Sequence, residues 1–121
     1  VELPELLRES DFVSLHCPLT EQTYHMIGEK ELHSMKPTAI LINTARGPVC
    51  DEEVLARALQ QGIIRGAAVD VFPREPETDS PLLSCENVIL TPHIATFTRD
   101  AFVKMNNMAA QSIIDWLEAE G

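Results

Sequence analysis

Three short stretches carry residue types capable of chemistry: Asn43-Thr44-Ala45-Arg46-Gly47, Glu75-Pro76 and Thr91-Pro92-His93. A histidine is the side chain best suited to exchange a proton near neutral pH. A carboxylate beside it favours the imidazolium and fixes the ring. An arginine offers a planar fork of donors that matches a carboxylate. Each residue also has an ordinary reading. An Arg-Gly step after a strand can be a turn with a surface arginine, a Glu-Pro step a loop, and a histidine after proline the cap of a following helix. The choice depends on whether the fold brings the three together.

The elements that must position them follow from the periodicity. Leu3 to Glu9 predicts a short helix, with Pro4 tolerated in its first turn. Asp11 to Cys17 reads as a strand stopped by Pro18. Gly28 to Met35 reads as a short helix broken before Pro37. Thr38 to Thr44 is a strand, and Asp51 to Gly62 a well-signalled helix. Asp51 can cap that helix, Glu52 and Glu53 suit its positive end, and Gly62 can end it. Val54, Leu55, Ala58 and Leu59 share its apolar face. Gly66 to Phe72 is a third strand, whose small residues suggest a helix packed close above it. Asn87 to Thr91 is a fourth, ended by Pro92. A long helix runs from Thr98 to Ala119, and Phe102, Met105, Ala109, Ile113 and Trp116 form the stripe expected to be buried.

Strands separated by helical segments imply right-handed crossovers and a parallel sheet. Strands this apolar imply helices over both faces. The expected class is α/β, half of a doubly wound sheet with about four parallel strands and flanking helices. In such a sheet ligands bind beyond the carboxyl ends of the strands. All three candidate stretches fall there, on one rim, together with His16-Cys17-Pro18 and Asp70. Gly47 can let the backbone turn sharply beside a ligand. The set suits reduction of a 2-keto acid, or the reverse. Arg46 would hold the carboxylate and polarise the carbonyl, His93 would pass the proton, and Glu75 would orient His93 and favour its protonated form.

Composition narrows the alternatives. The 121 residues are 45% hydrophobic and 23% charged, an ordinary globular balance that fits one modest domain rather than a disordered chain. A net charge of -10 argues against sequence-independent nucleic-acid binding. No apolar run approaches the roughly 18 to 20 residues of a spanning helix, so no membrane partner is expected. No secretory leader is visible. Cys17, Cys50 and Cys85 are widely and irregularly spaced and include no C-x-x-C pair. They support neither a zinc site nor a disulfide framework, and they fit a reducing, cytoplasmic setting. The four histidines lack the spacing of a helical metal site, so no metal is expected.

Two long stretches carry a family resemblance: Ser10 to Pro76, which includes "HCPLT", "LINTARGPV" and "AAVDVFPREP", and Asn87 to Thr98, "NVILTPHIATFT". Together they resemble the carboxyl-terminal part of the NAD-binding domain of the D-isomer-specific 2-hydroxyacid dehydrogenases, with several separated motifs in order and in spacing. The resemblance implies a catalytic set of Arg46, Glu75 and His93. It implies NAD contacts, NADP not being excluded, at Cys17, Thr44, Ala45, Arg46, Asp70, His93, Ile94, Ala95 and Thr96. Asp70 would reach the nicotinamide carboxamide. Formate dehydrogenases of this superfamily carry glutamine where Glu75 stands, so the resemblance favours a small 2-keto or 2-hydroxy acid as substrate. Glyoxylate, hydroxypyruvate, phosphohydroxypyruvate and lactate-type acids all remain open.

No G-x-G-x-x-G occurs in the chain. That loop would cradle the pyrophosphate at a helix amino terminus. We therefore read residues 1–97 as the carboxyl-terminal half of a Rossmann-type NAD-binding domain. Residues 98–121 are a long helix that packs on it or swaps to a partner. The chain is expected to be a fragment whose isolated activity is lost with the glycine-rich loop. The strand at Asp11–Cys17 would then present an unpaired edge, and a homodimer through that edge or through element exchange is expected. Two other readings stay open: a self-associating half-domain without catalysis, and a nucleotide-binding module of the corepressor kind.

Overall fold

A computed structural model describes residues 1–119; the last two residues of the expected 98–121 segment lie outside them. Four short strands, β1 (Phe12–Leu15), β2 (Ile40–Asn43), β3 (Gly66–Val69) and β4 (Val88–Leu90), form one parallel sheet in chain order. The helices are α1 (Leu3–Glu9), α2 (Glu29–Ser34), α3 (Glu52–Gln60) and α4 (Arg99–Ala119). Two 3-10 turns, Gly47–Val49 and Pro81–Ser84, follow β2 and precede β4.

The local signals act where they stand. Asp51 Oδ1 accepts the Val54 N–H at 3.1 Å and caps α3. Gly62, at φ +68°, takes the left-handed turn after that helix, and the Ile63 N–H reaches back to the Ala58 carbonyl at 2.9 Å. Thr98 Oγ1 accepts the Ala101 N–H at 3.2 Å at the start of α4. Thr98, not His93, therefore occupies the capping position there.

Register sets which residues share a face. Leu15, Asn43, Val69 and Leu90 lie abreast, as do Val13, Leu41, Ala67 and Val88. These rows face a core that Leu7 of α1, Leu32 of α2 and Leu55 and Leu59 of α3 complete. The opposite rows hold Phe12 and Ile89, which are 67% and 68% exposed. The sheet is thus covered on one face only, which corrects the expectation of helices on both. The apolar strand residues that prompted it are divided between a packed face and an open one.

One further expectation changes. The stripe Phe102, Met105, Ile113 and Trp116 is 56% to 62% exposed, and α4 has no buried residue. The spacing marks an apolar face correctly, but nothing among the described residues covers it. At Gly66 the close neighbour is the Asn87 carbonyl oxygen, 3.0 Å from where a Cβ would stand, while Ala67 faces the core that Ala56 and Ala58 of α3 share. Cys50 lies in the core, where burial and then the charges of Asp51 and Glu52 push its thiol up to about 12. It is an inert packing group, in keeping with its sequence reading.

Leu41 is fully buried in a central strand, so Leu41→Ala costs about 2–5 kcal/mol in urea denaturation. Ile89→Ala on the open face costs less than about 0.5 kcal/mol in the same experiment. A loss at Ile89 as large as that at Leu41 would mean the open face is covered in solution.

Candidate active site

The rim is built at the carboxyl ends of β2, β3 and β4. After β2 the chain must turn at once, and Asn43 enforces the turn from inside. Its side chain is 2% exposed; Oδ1 accepts the Ala45 N–H and Nδ2 donates to the Arg46 carbonyl, both at 3.1 Å. Arg46 stands exposed at the tip, with Nη1 donating to the Ala45 carbonyl at 2.6 Å. It takes part in no ion pair among the described residues.

Asp70 directly follows β3, 4% exposed, with its carboxylate turned to the segment after β4. Oδ1 accepts from the Thr91 hydroxyl at 2.5 Å and from the Ile94 N–H at 2.8 Å, and Oδ2 from the Ala95 N–H at 2.8 Å. Burial alone would push this carboxyl up. The three donors and the nearby His93 outweigh it, and the group is held below the ordinary carboxylate range. The clamp wraps residues 91–95 around a left-handed His93, φ +55°.

His93 Nδ1 lies 2.6 Å from Glu75 Oε2. Glu75 Oε1 in turn accepts the Phe72 N–H at 3.0 Å. The hydrogen bond to His93, then the one from Phe72, hold Glu75 below its ordinary range. The Glu75 loop is anchored again further on, where the Ser80 hydroxyl donates to Glu52 Oε1 at 2.7 Å and links it to α3.

Two clefts open on this rim. One, of about 540 Å³, is lined by Glu75 and His93 with Phe72, Leu83, Leu90 and Pro92. The other, of about 560 Å³, is lined by His16, Cys17, Thr44, Ala45 and Arg46. Both fall in the size range of small-molecule sites. The structure therefore joins Glu75 to His93 and gathers Cys17, Thr44, Ala45 and Arg46. Arg46 makes no direct bond to the His93–Glu75 pair. Ile94 and Ala95 reach Asp70 through their amides, and Thr96 is exposed beyond them.

Sequence reasoning missed Asn43 and Thr91 as the groups that hold these loops. An asparagine bonding its own backbone two residues on is a recognisable turn signal, and "NTA" carries it. No sequence signal points to the Thr91–Asp70 bond. Gly47 also has a different role from the one expected. The space beside it is filled by the Phe72–Pro73 peptide, not left for a ligand.

Asp70→Asn places an NH2 against at least one of three N–H or O–H donors and costs about 1–3 kcal/mol. Asp70 and Glu75 are both depressed in the fold. Their contribution is complete above the ordinary carboxyl values of about 3.9 and 4.3, and disappears as pH falls through the lower folded values. The Asp70 side-chain carboxyl carbon should therefore keep its ionised signal from pH 7 down to about 3.9 and titrate only in more acid solution. An Asp70 titration midpoint above about 3.9 would contradict the clamp.

Comparison with known proteins identifies the family of the chain. Residues 1–95 match the family model of the D-isomer specific 2-hydroxyacid dehydrogenase NAD binding domain. A glyoxylate reductase of Korarchaeum cryptofilum is 53% identical over 121 residues, covering 99% of this chain and 36% of its own length. The NAD-complexed D-isomer specific 2-hydroxyacid dehydrogenase of Lactobacillus delbrueckii ssp. bulgaricus superposes with a TM-score of 0.85 at 35% identity, covering 98% of this chain and 40% of that one. An acyclic imino acid reductase in complex with NADPH and D-Arg superposes with a TM-score of 0.92 at 38% identity, covering 98% and 38%. The chain spans about a third of the length of the curated relatives it matches. The parallel sheet, the motifs at its rim and these matches together place the chain in the NAD-binding-domain family of the D-isomer-specific 2-hydroxyacid dehydrogenases.

Proposed function

We propose that this chain supplies the chemistry-bearing half of the NAD-binding domain of a 2-keto acid reductase, with Arg46, Glu75 and His93 as its catalytic set. The observation that carries the reading is the His93–Glu75 pair, 2.6 Å apart on the same rim as Arg46. Glyoxylate-type acids are the favoured substrates, on the strength of the glyoxylate reductases among its relatives.

The cleft of Cys17, Thr44, Ala45 and Arg46 fits the nicotinamide end of a dinucleotide in size and in its mix of apolar walls and polar groups. Asp70 Oδ2 accepts one protein donor and keeps a lone pair for a carboxamide. Ile94, Ala95 and Thr96 would border the same ring. NAD is the cofactor of the matching family model, and the NADPH complex of a relative leaves NADP as a second candidate. Bound there, the cofactor supplies or accepts the hydride. The chain's own residues do the rest. Arg46 holds the substrate carboxylate and polarises the carbonyl oxygen. Glu75 occupies His93 Nδ1, which leaves Nε2 to give or take the proton at that oxygen. The pyrophosphate cradle comes from outside these 121 residues, so the chain alone is inactive or nearly so. Its free cysteines, including the inert Cys50, fit a reducing cytoplasmic setting.

The open sheet face and the exposed stripe of α4 favour a second reading, self-association. In it, residues 1–97 form the folded unit, and the helical segment from 98 onward docks on a second copy.

An NADH titration read by energy transfer from Trp116, with mass by light scattering on the same sample, tests both readings. The expected result is binding only in the millimolar range. Saturation at micromolar NADH by a dimer would favour self-association that completes the site. In a protein joining this chain to a glycine-rich-loop half, His93→Ala lowers kcat by about 10²–10⁴-fold. Turnover unchanged by His93→Ala would overturn the catalytic assignment.

A further inference from the structure

We infer that Gly47 couples Arg46 to the Glu75–His93 pair, through a backbone contact with the Phe72–Pro73 peptide. The functional weight of this coupling rests on the catalytic reading above; the contact itself does not.

A Cβ at position 47 would fall on that peptide, 2.5 Å from both the Phe72 oxygen and the Pro73 nitrogen and closer still to the Phe72 carbonyl carbon. The two loops therefore meet backbone to backbone. Glycine is required here for space and not for its dihedral freedom, since Gly47 does not have a positive φ. Gly62 is the converse case, at φ +68° with nothing within 4 Å of its Cβ position.

Gly47 is tied down from behind, and the peptide it meets carries the bond to Glu75. Behind Gly47, Asn43 holds the Arg46 carbonyl. The Pro48 and Val49 carbonyls accept the His25 and Ile27 N–H groups at 2.8 and 3.1 Å. On the other side, the N–H of Phe72 is the one that holds Glu75, and Glu75 holds His93. Pro73 brings no N–H to the contact, so close packing strands no donor. The path from Arg46 to His93 is thus short and made mostly of backbone.

Carbon atoms pack at about 3.5–4.0 Å, so a methyl group at 47 forces the loops apart by on the order of 1 Å. A displacement of that size costs about 10²-fold in rate where reacting groups are aligned.

The test is NMR of this chain. Gly47→Ala should move the His93 ring resonances, assigned with His93→Gln, while those of His33 on α2 stay in place. Gly62→Ala, strained at a positive φ but remote from the contact, should leave His93 unmoved. The reciprocal variant Glu75→Gln, at the exposed rim, should move the Gly47 amide signal and not that of Gly62; it decides the matter if Gly47→Ala does not fold. His93 signals unchanged in folded Gly47→Ala, or a Gly47 amide unmoved by Glu75→Gln, would overturn the coupling. In a cofactor-complete protein, moved ring signals with full turnover would leave the coupling standing and overturn the catalytic reading instead.

Discussion

The rim depends on one carboxylate. Asp70 sits at the end of a central strand with almost no water around it, and a charge there survives only because three donors face it. All three donors belong to residues 91–95. Without them, Asp70 would be a buried unpaired charge. Without Asp70, the segment after β4 would lose what folds it back over the sheet. His93 stands within this segment, with a left-handed backbone at φ +55°. The loop chemistry is therefore anchored by the sheet itself, before any ligand is considered.

The same logic extends across the rim. Asn43 does for the loop after β2 what Asp70 does for the loop after β4, with a buried polar side chain satisfied by the backbone it bends. Between them the loop after β3 touches both neighbours, resting against Gly47 on one side and bonding His93 through Glu75 on the other. Parallel pairing in chain order makes this possible, because it delivers all the carboxyl ends to one side. The polar groups sit at that end, and the packing that stabilises the fold sits beneath the strands. The two meet at Ala45, a core residue that also lines a cleft.

Much of this was legible in the sequence, for local reasons. Asp51 before Glu52-Glu53, and Gly62 after an apolar helical face, are cap and stop signals that need no tertiary context, and both act as read. The four strands were found from short apolar runs bounded by proline or glycine, though each is shorter than its run because pairing ends where the backbone turns. What could not be read depends on distant partners. Gly47 announces a special backbone position, but only the fold reveals that Phe72 and Pro73 fill the space beside it. Asp70 and Thr91 are separated by 21 residues and meet only when β3 and β4 pair. The α4 stripe and the apolar strands encode surfaces that seek cover. Their pattern does not say whether the cover lies in these residues, and in the described structure it does not.

The His93–Glu75 pair is tested most directly by the tautomer of neutral His93, read from ring nitrogen couplings in ¹⁵N-labelled protein at high pH. Glu75 can accept at Nδ1 only if that nitrogen carries the proton. The expected result is the Nδ1–H form, with Nε2 unprotonated and available to the substrate. A ring protonated at Nε2 would mean the Glu75 bond does not govern His93 in solution, and would contradict the proposed catalytic pair.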